Sequence, residues 1–261
     1  MRFRALLALA LAVTVVFLVL PVIAIFVNTS PARLISSLGE AQAREALLLS
    51  LRTSAIALAI IIVVGTPAAY LLAVRRFRGR AVVLTLLELP LVLPPAVAGI
   101  GLLAALGPHG ILGGVLASAH IELVLQTAGV VVALAFVASP FYLRQAQSAF
   151  EAVDRTYLDA ARALGARESS VFMRVAIPTA RPGLMAGVAL AWGRALGEFG
   201  ATLMFAGSFQ GVTQTAPLAI YDRFATDFPA ALALSAVLLI VSAALLLTIK
   251  LGSGSPVVSG V

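Results

Sequence analysis

Long runs of apolar residues, separated by short polar segments, fill the chain from end to end. A helix rises about 1.5 Å per residue, so roughly 20 apolar residues cross a hydrocarbon core of about 30 Å. Six runs reach that length, and each predicts a transmembrane helix. They are Ala5 to Val27, Thr53 to Val74, Ala81 to Leu106, Leu123 to Leu143, Pro182 to Ala206 and Ala230 to Lys250. The pattern predicts an all-α, multi-pass protein of the cell membrane, in contact with the lipid bilayer.

The composition supports this class and removes several others. Apolar residues make up 61% of the chain and charged residues 11%, which excludes an ordinary water-soluble domain. The formal net charge is +7, but the arginines lie in short loops beside apolar runs, so we expect no nucleic-acid partner. The chain has no cysteine and only two histidines, His109 and His120, so we expect no metal site.

The distribution of basic residues predicts the orientation in the membrane. Arginines are concentrated after the second run and between the fourth and fifth runs, whereas the connection 107–122 has no Lys or Arg. The positive-inside rule then puts both termini in the cytoplasm and the connections 28–50, 107–122 and 207–229 outside. The first run begins with Arg2 and Arg4 but is longer than a signal-peptide core, so we expect an uncleaved anchor.

These features predict one membrane domain with short appendages. Residues 1–45 would form the N-terminal anchor and outer loop, and residues 46–250 the transmembrane domain. Residues 251–261 contain a Gly-Ser-Gly-Ser-Pro sequence, which is typical of a flexible tail.

The polar segment between the fourth and fifth runs predicts two short helices. In the first, an apolar stripe recurs at helical spacing on an otherwise polar surface. The stripe comprises Val153, Tyr157, Ala161 and Leu164. Gly165 can adopt a left-handed conformation and end this helix. The second helix would carry Val171, Phe172 and Val175 and stop at Pro178, with Phe172 offered outward as an apolar knob.

Two interpretations of this helix pair are possible. It could lie on the lipid headgroups as an amphipathic surface helix, or it could dock against a protein. Four acidic residues in the segment are unfavourable beside an anionic inner leaflet, so we favour docking to a protein.

The segment also resembles a known motif. An acidic residue followed by two alanines, then a glycine and an aliphatic-x-aliphatic-proline ending, is similar to the EAA loop of ABC-importer permeases. The matching residues are Asp159, Ala160, Ala161, Gly165, Val175, Ile177 and Pro178, with Asp159 in place of the usual glutamate. The resemblance implies that residues 154–175 form coupling helices that dock on a cytoplasmic ATPase dimer, with Phe172 among the contacts.

The energy source must lie on another chain. A P-loop needs a lysine after its glycines, and the only lysine here is Lys250, at the end of the last run. We therefore expect no catalytic residue and no cofactor in this chain. ATP and Mg²⁺ would bind to the partner ATPase, so the chain would be a transport subunit and not an enzyme.

A second resemblance concerns the substrate. Residues 194–207 are similar to the fifth-span signature of molybdate and tungstate permeases, and residues 89–95 and 213–221 also look like that subfamily. Sulfate permeases are close relatives. The resemblance implies an ATP-driven importer of a tetrahedral oxyanion, molybdate or tungstate, with sulfate or thiosulfate as the alternative. It also implies an extracytoplasmic oxyanion-binding protein and a second copy of the permease as partners.

Three residues in the fifth run are candidates for a pathway or gating role. Arg194 and Glu198 lie four residues apart, on one helical face at membrane depth, where ionisable groups are costly, and Thr202 could serve as a transient hydrogen-bond donor to an anion. The alternative is an intrahelical Arg194–Glu198 ion pair that only fixes packing. In the same run a small-residue face is expected to permit close helix approach at a dimer seam or at the pore. That face comprises Gly193, Gly197, Gly200 and Ala201.

Two other classes of function remain open. An ion-coupled anion carrier or channel could use Arg194 and Glu198 without any ATPase. A membrane enzyme has little support, because the chain has no thiol and no Ser-His arrangement at membrane depth. Asp222, Arg223 and Asp227 could contact a binding protein, or they could be ordinary loop charges.

Overall fold

The computed structural model describes residues 2–252, and every regular element in that range is a helix. The helices are α1 (Arg2–Val27), α2 (Pro31–Gly39), α3 (Ala41–Val74), α4 (Arg80–Val92), α5 (Pro95–Leu106), α6 (Gly113–Ser118), α7 (Thr127–Glu151), α8 (Arg155–Ala163), α9 (Glu168–Val171), a π-helical segment (Phe172–Ala176), α10 (Ile177–Leu196), α11 (Gly200–Ala206), α12 (Ala216–Phe224) and α13 (Phe228–Gly252). Residues 253–261 of the expected tail lie outside the described residues.

Four helices between residues 2 and 252 are long and apolar enough to cross a membrane, namely α1, α3, α7 and α13. The pair α4 and α5 makes a fifth candidate if the two are counted as one bent span. Helix α10 has 20 residues but carries Arg181 and Arg194, and it is not among these candidates. Six spans and two cytoplasmic termini therefore stay predictions.

Helix α3 is longer than the second apolar run. It begins at Ala41, twelve residues before Thr53, because the segment from Ala41 to Arg52 is rich in helix-forming residues. Ala43, Ala46 and Leu47 of this extension are buried against α12 and α13. The expected boundary between residues 45 and 46 thus falls inside a helix, and the division into domains stays a prediction.

The third apolar run is bent and is not one straight helix. Helices α4 and α5 meet at an angle of 117°. Leu93 is extended, with φ −70° and ψ 129°, because the ring of a following proline disfavours helical geometry, and Pro94 precedes a second proline, Pro95. The Pro94-Pro95 pair therefore ends one helix and begins the next.

Helices α3, α7 and α10 form the centre of the molecule. Gly65 of α3 and Gly187 of α10 face opposite edges of the buried Tyr142 ring of α7, where an added Cβ would lie 3.1 Å and 3.2 Å from the ring. The Tyr142 hydroxyl lies 2.6 Å from that of Thr66 on α3. Small residues at these points let the helix backbones approach closely, as in other membrane bundles.

Helix α1 is almost entirely uncovered. Every side chain from Phe3 to Ala24 is exposed, although this helix is the most apolar of the candidate spans. An apolar surface of this extent needs a bilayer or another protein around it. The assignment of residues 1–45 as an N-terminal anchor and outer loop stays a prediction.

Candidate functional site

The polar segment after α7 begins with the first of the two short helices that the sequence predicts, α8. Asp154 precedes α8, and its carboxylate accepts a hydrogen bond of 2.9 Å from the Thr156 N–H. This bond satisfies one of the free N–H groups at the start of the helix. It also holds the pKa of Asp154 below its ordinary value, since the ionised form is the better acceptor.

Gly165 ends α8 as expected. Its φ is +82°, in the left-handed region, and an added Cβ would meet nothing within 4 Å. The Ala166 N–H bonds to the Ala161 carbonyl, and the Gly165 N–H bonds to that of Arg162. These two bonds are the Schellman arrangement, so backbone conformation, and not packing, requires a glycine here.

The second helix does not stop at Pro178, contrary to the sequence prediction. Helix α9, the π-helical segment and α10 follow one another without a break from Glu168 to Leu196. Pro178 lies in the first turn of α10, where its missing N–H is tolerated because the preceding turn is π-helical, with the Ile177 N–H bonded to the Phe172 carbonyl. The polar segment is therefore joined rigidly to α10.

Phe172 is not an outward knob, which corrects a second expectation. Its ring centroid lies 4.8 Å from that of Tyr70 and 6.2 Å from that of Phe150, and the Tyr70 and Phe150 centroids are 5.3 Å apart. The π-helical turn directs Phe172 toward α3 and α7. We call these three rings the aromatic seat.

The outward surface of the segment is made by other apolar side chains. Leu164 is 89% exposed, Met173 60% and Tyr157 59%, whereas Leu158 is 4% exposed and packs into the core. The expected stripe is therefore divided, with Val153 buried, Ala161 half-buried, and Tyr157 and Leu164 exposed. Sequence reasoning missed Met173, whose outward direction follows from the π-helical turn.

The remaining motif residues lie on the same segment with mixed exposure. Asp159, Ala160 and Pro178 are exposed, and Ala161, Val175 and Ile177 are half-buried. The half-buried members pack against the main core. The motif thus contributes both to an outward surface and to the attachment of that surface to the helix bundle.

One arginine joins the two short helices. The Arg162 guanidinium contacts Asp159 at 2.8 Å on its own helix and Glu168 at 2.7 Å on α9, with a second bond of 3.2 Å to Glu168. The Glu168 carboxylate, followed by that of Asp159, raises the pKa of Arg162, and Arg162 in turn lowers the pKa of Glu168. The Glu168 carboxylate therefore stays ionised at neutral pH.

The second group of candidates lies where the fifth apolar run breaks. Helix α10 ends at Leu196 and α11 begins at Gly200. Arg194 Nη2 lies 2.5 Å from Glu198 Oε2, and Glu198 Oε1 accepts a 2.7 Å bond from the Ala201 N–H. Glu198 is 1% exposed and Thr202 0%. Both are enclosed within the chain, and the Thr202 hydroxyl has no hydrogen-bond partner in the described part of the molecule.

Arg194 alone of the three reaches an open surface. Its side chain is 27% exposed and lines a groove of about 570 Å³ between α10 and α13. The groove walls are mainly apolar, including Met185 and Leu246, with Lys250 as a second basic residue. A cation in such a groove can attract an anion, while the buried Glu198 partly neutralises it.

The expected small-residue face divides into two parts. Gly200 and Ala201 pack within the chain, because an added Cβ at Gly200 would come 2.7 Å from Pro95 of α5. Gly193 and Gly197 meet no close neighbour outside their own helix, the nearest being Leu246 at 3.9 Å from Gly193. Gly200 and Ala201 therefore bring α11 against α5, and only the other two glycines remain for a contact with another chain.

The charged residues near α12 have structural partners. Arg223 is 9% exposed and forms a 2.6 Å ion pair with Glu40. Asp227 accepts a hydrogen bond from the Ala230 N–H at the start of α13, whereas Asp222 is exposed. Arg223 is thus not a free surface charge. Both histidines are exposed, and no cluster of three His, Asp or Glu side chains suited to a metal ion occurs between residues 2 and 252.

Comparison with known families gives a direct match. Residues 65–251 match the family model described as "binding-protein-dependent transport system inner membrane component". The matched range includes the polar segment, the broken fifth run and α13.

Individual relatives are named as permease proteins of oxyanion transport systems. A molybdenum transport system permease protein of Mycobacterium tuberculosis is 42% identical over 93% of this chain and 91% of its own length. A sulfate transport system permease protein of Synechocystis is 35% identical over 84% of this chain and 80% of its own length. Among solved structures, a bacterial ABC transporter involved in import of the polysaccharide alginate aligns with a TM-score of 0.75 at 16% identity, over 96% of this chain and 94% of that one. The last likeness concerns the fold.

Proposed function

The chain belongs to the binding-protein-dependent transport system inner membrane components, and from this membership we propose that it is the permease subunit of an ATP-driven importer of molybdate. The observation that carries the substrate is the 42% identity to a molybdenum transport permease over 93% of the chain. Tungstate has the same tetrahedral geometry and charge, so it is expected to share the route.

Sulfate import is the second candidate. The sulfate permease relative is 35% identical and covers less of the chain, which ranks this substrate below molybdate. All these ions are tetrahedral dianions, so much of the selection would be made by an extracytoplasmic binding protein that delivers the ion to the permease.

The polar segment is proposed as the docking surface for a cytoplasmic ATPase dimer. Its outward apolar side chains, Tyr157, Leu164 and Met173, would insert into the partner, because apolar groups of this size on a polar surface mark interaction sites. The motif residues would shape and attach this surface. They are Asp159, Ala160, Ala161, Gly165, Phe172, Val175, Ile177 and Pro178. ATP and Mg²⁺ would act on the partner chain.

The remaining parts of the assembly follow the same proposal. Both termini and the docking surface would face the cytoplasm, and the connections 28–50, 107–122 and 207–229 would face the binding protein. A second copy of the chain would complete the pore, since a single chain leaves α1 and the groove between α10 and α13 uncovered.

For the anion route we propose the exposed side of α10. Arg194 would supply a weak attraction, since Glu198 holds part of its charge and a deep site would retain the ion. Gating would involve the break between α10 and α11, where Glu198 and the enclosed Thr202 lie.

The test is reconstitution of the chain with its ATPase and binding protein in liposomes. We expect molybdate uptake that requires ATP, with sulfate taken up poorly. Leu164→Glu should abolish ATPase association, because it puts a charge in an apolar contact, while Leu38→Glu, which changes an exposed residue of α2 in the proposed outer connection, should leave association intact. Anion flux without any ATPase would instead support a carrier or channel.

A further inference from the structure

The two short helices of the docking surface are connected by very little backbone. Gly165 makes the turn with open space around it, and α8 packs against the rest of the bundle mainly through Leu158 and Ala161. A left-handed glycine in open space resists bending weakly. The two Schellman hydrogen bonds order the turn itself, and a side-chain contact across it would further fix the angle between α8 and α9.

Arg162 is the group that bridges the turn. Its guanidinium bonds to Asp159, three residues earlier on α8, and by two nitrogens to the Glu168 carboxylate at the first residue of α9. The planar guanidinium has donors in a fixed fork, so simultaneous bonds to two carboxylates fix both distance and direction. Arg162 is also the less exposed partner, at 32%, so its side chain is held against the protein.

Helix α9, which carries the Glu168 end of the Arg162 bridge, connects to the long helices of the bundle. Helix α9 continues through the π-helical segment into α10 without interruption. In that segment Phe172 contacts Tyr70 of α3 and Phe150 of α7 within the aromatic seat. A displacement of α8 can therefore reach α10 through the continuous helix, and α3 and α7 through the aromatic seat. Both connections require that α8 and α9 move together.

We propose that Arg162 is a positioning residue for energy coupling: it makes α8 and α9 one rigid body, so that ATPase movement reaches α10 and α3. This rests on the proposed docking of an ATPase. Loss of Arg162 would leave the docking side chains Tyr157 and Leu164 present, so the ATPase would still bind, but its movement would be absorbed at Gly165.

The alternative is that the contacts of Arg162 with Asp159 and Glu168 are ordinary surface ion pairs. Asp159 and Glu168 are 68% and 63% exposed, and isolated exposed pairs often contribute nothing measurable. The bidentate geometry and the shared arginine favour an effect, since one ordered side chain serves two partners.

The test uses Arg162→Gln in the complete transporter. Arg167→Gln is the matched control, because Arg167 is exposed, lies five residues away and makes no side-chain hydrogen bond or ion pair in the described range. We expect ATPase association to be retained in both variants. Molybdate transported per ATP hydrolysed should fall roughly three- to tenfold in Arg162→Gln alone, the size of effect expected for a residue that transmits coupling. Arg162→Lys should recover part of the loss, because it keeps one charged contact.

A distance measurement separates rigidity from mere stability. The chain has no cysteine, so Arg155→Cys with Ser169→Cys gives unique spin-label sites on α8 and α9. Dilution with unlabelled chain isolates distances within one copy. We expect a narrow distribution that broadens in Arg162→Gln and, as a milder variant, in Glu168→Gln.

Each result decides a different point. A distribution equally narrow with and without Arg162, or broadening with unchanged transport per ATP, would overturn the positioning role. A wild-type chain that transports nothing with its ATPase would refute the proposed function, while the distance distributions would still report on the Arg162 bridge.

Discussion

Arg194 and Glu198 form an ion pair of 2.5 Å across the end of α10, and the carboxylate of this pair also begins the next helix. One Glu198 oxygen faces Arg194 and the other accepts the Ala201 N–H of α11. Since Glu198 is 1% exposed, neither role can be taken over freely by water. The pair therefore fixes the break in the fifth apolar run.

Substitution of Glu198 should separate its two roles. Glu198→Ala leaves Arg194 unpaired and the Ala201 N–H without an acceptor, at an expected cost of about 2–4 kcal/mol in unfolding free energy. Glu198→Gln keeps an acceptor for Ala201 and should cost less. Combining Glu198→Gln with Arg194→Met removes the unpaired charge and should recover stability. Denaturant unfolding in detergent measures all three, and equal losses for Ala and Gln would contradict the assignment.

A second prediction concerns the contact between α5 and α11. An added Cβ at Gly99 would lie 2.6 Å from Met204 Cβ and 2.7 Å from the Ala201 carbonyl oxygen, so backbone would have to move. Gly99→Ala should therefore lower the unfolding free energy by about 1–3 kcal/mol. Gly101→Ala, in the same helix, is the control, because it has nothing within 4 Å. Thermal unfolding of both variants measures the difference, and equal midpoints would refute the close contact.

The turn at Gly165 gives a third prediction. Its φ of +82° penalises a Cβ even though the space is empty, so Gly165→Ala should cost about 1–2 kcal/mol. Asparagine adopts this conformation more readily, so Gly165→Asn should cost less. Gly39→Ala is a control in open space without a positive φ. Hydrogen exchange across α8 reports the local change, and similar exchange in the Ala and Asn variants would argue against conformational strain.

The sequence predicts much of this molecule because some residues act through local backbone chemistry. The left-handed turn at Gly165 is confirmed, and the predicted permease family is confirmed by the match over residues 65–251. The Pro94-Pro95 bend also had a local cause, although the third run was taken as a single helix.

The wrong predictions concern the direction in which a side chain points and the residue that it contacts. A periodic pattern in the sequence encodes neither of these. Phe172 was expected to face a partner because it is a large apolar residue in the docking segment, whereas in the structure it lies in a π-helical turn and contacts Tyr70 and Phe150. The small residues Gly200 and Ala201 correctly indicated a close contact, but their neighbour is α5 of the same chain. Arg223 pairs with Glu40, a residue 183 positions away in the sequence, which no local rule connects.

A fourth prediction follows from the correction at Phe172. Phe172→Ala removes a ring from the aromatic seat and should lower the unfolding free energy by about 1–3 kcal/mol, since aromatic packing and apolar area are lost. Met173→Ala should leave stability within about 0.5 kcal/mol because Met173 is 60% exposed, but it should weaken ATPase binding. Thermal unfolding and ATPase pull-down on each variant check this. The reverse pattern would restore Phe172 as the outward contact.

The last prediction is a pH dependence of the Arg162 bridge. Arg162, aided by the more distant Arg75, lowers the pKa of Glu168 from its ordinary value of 4.5, so the folded state favours the ionised carboxylate. A carboxyl group whose pKa is lowered in the folded state stabilises that state at every pH above the ordinary pKa of the group. This stabilisation is lost only as the pH falls through the lowered pKa. The α8–α9 spin-label distance distribution should therefore stay narrow from pH 7 to 5 and broaden only once the pH falls below 4.5, through the lowered pKa of Glu168. Glu168→Gln should be broad throughout, and broadening between pH 7 and 5 would contradict the bridge.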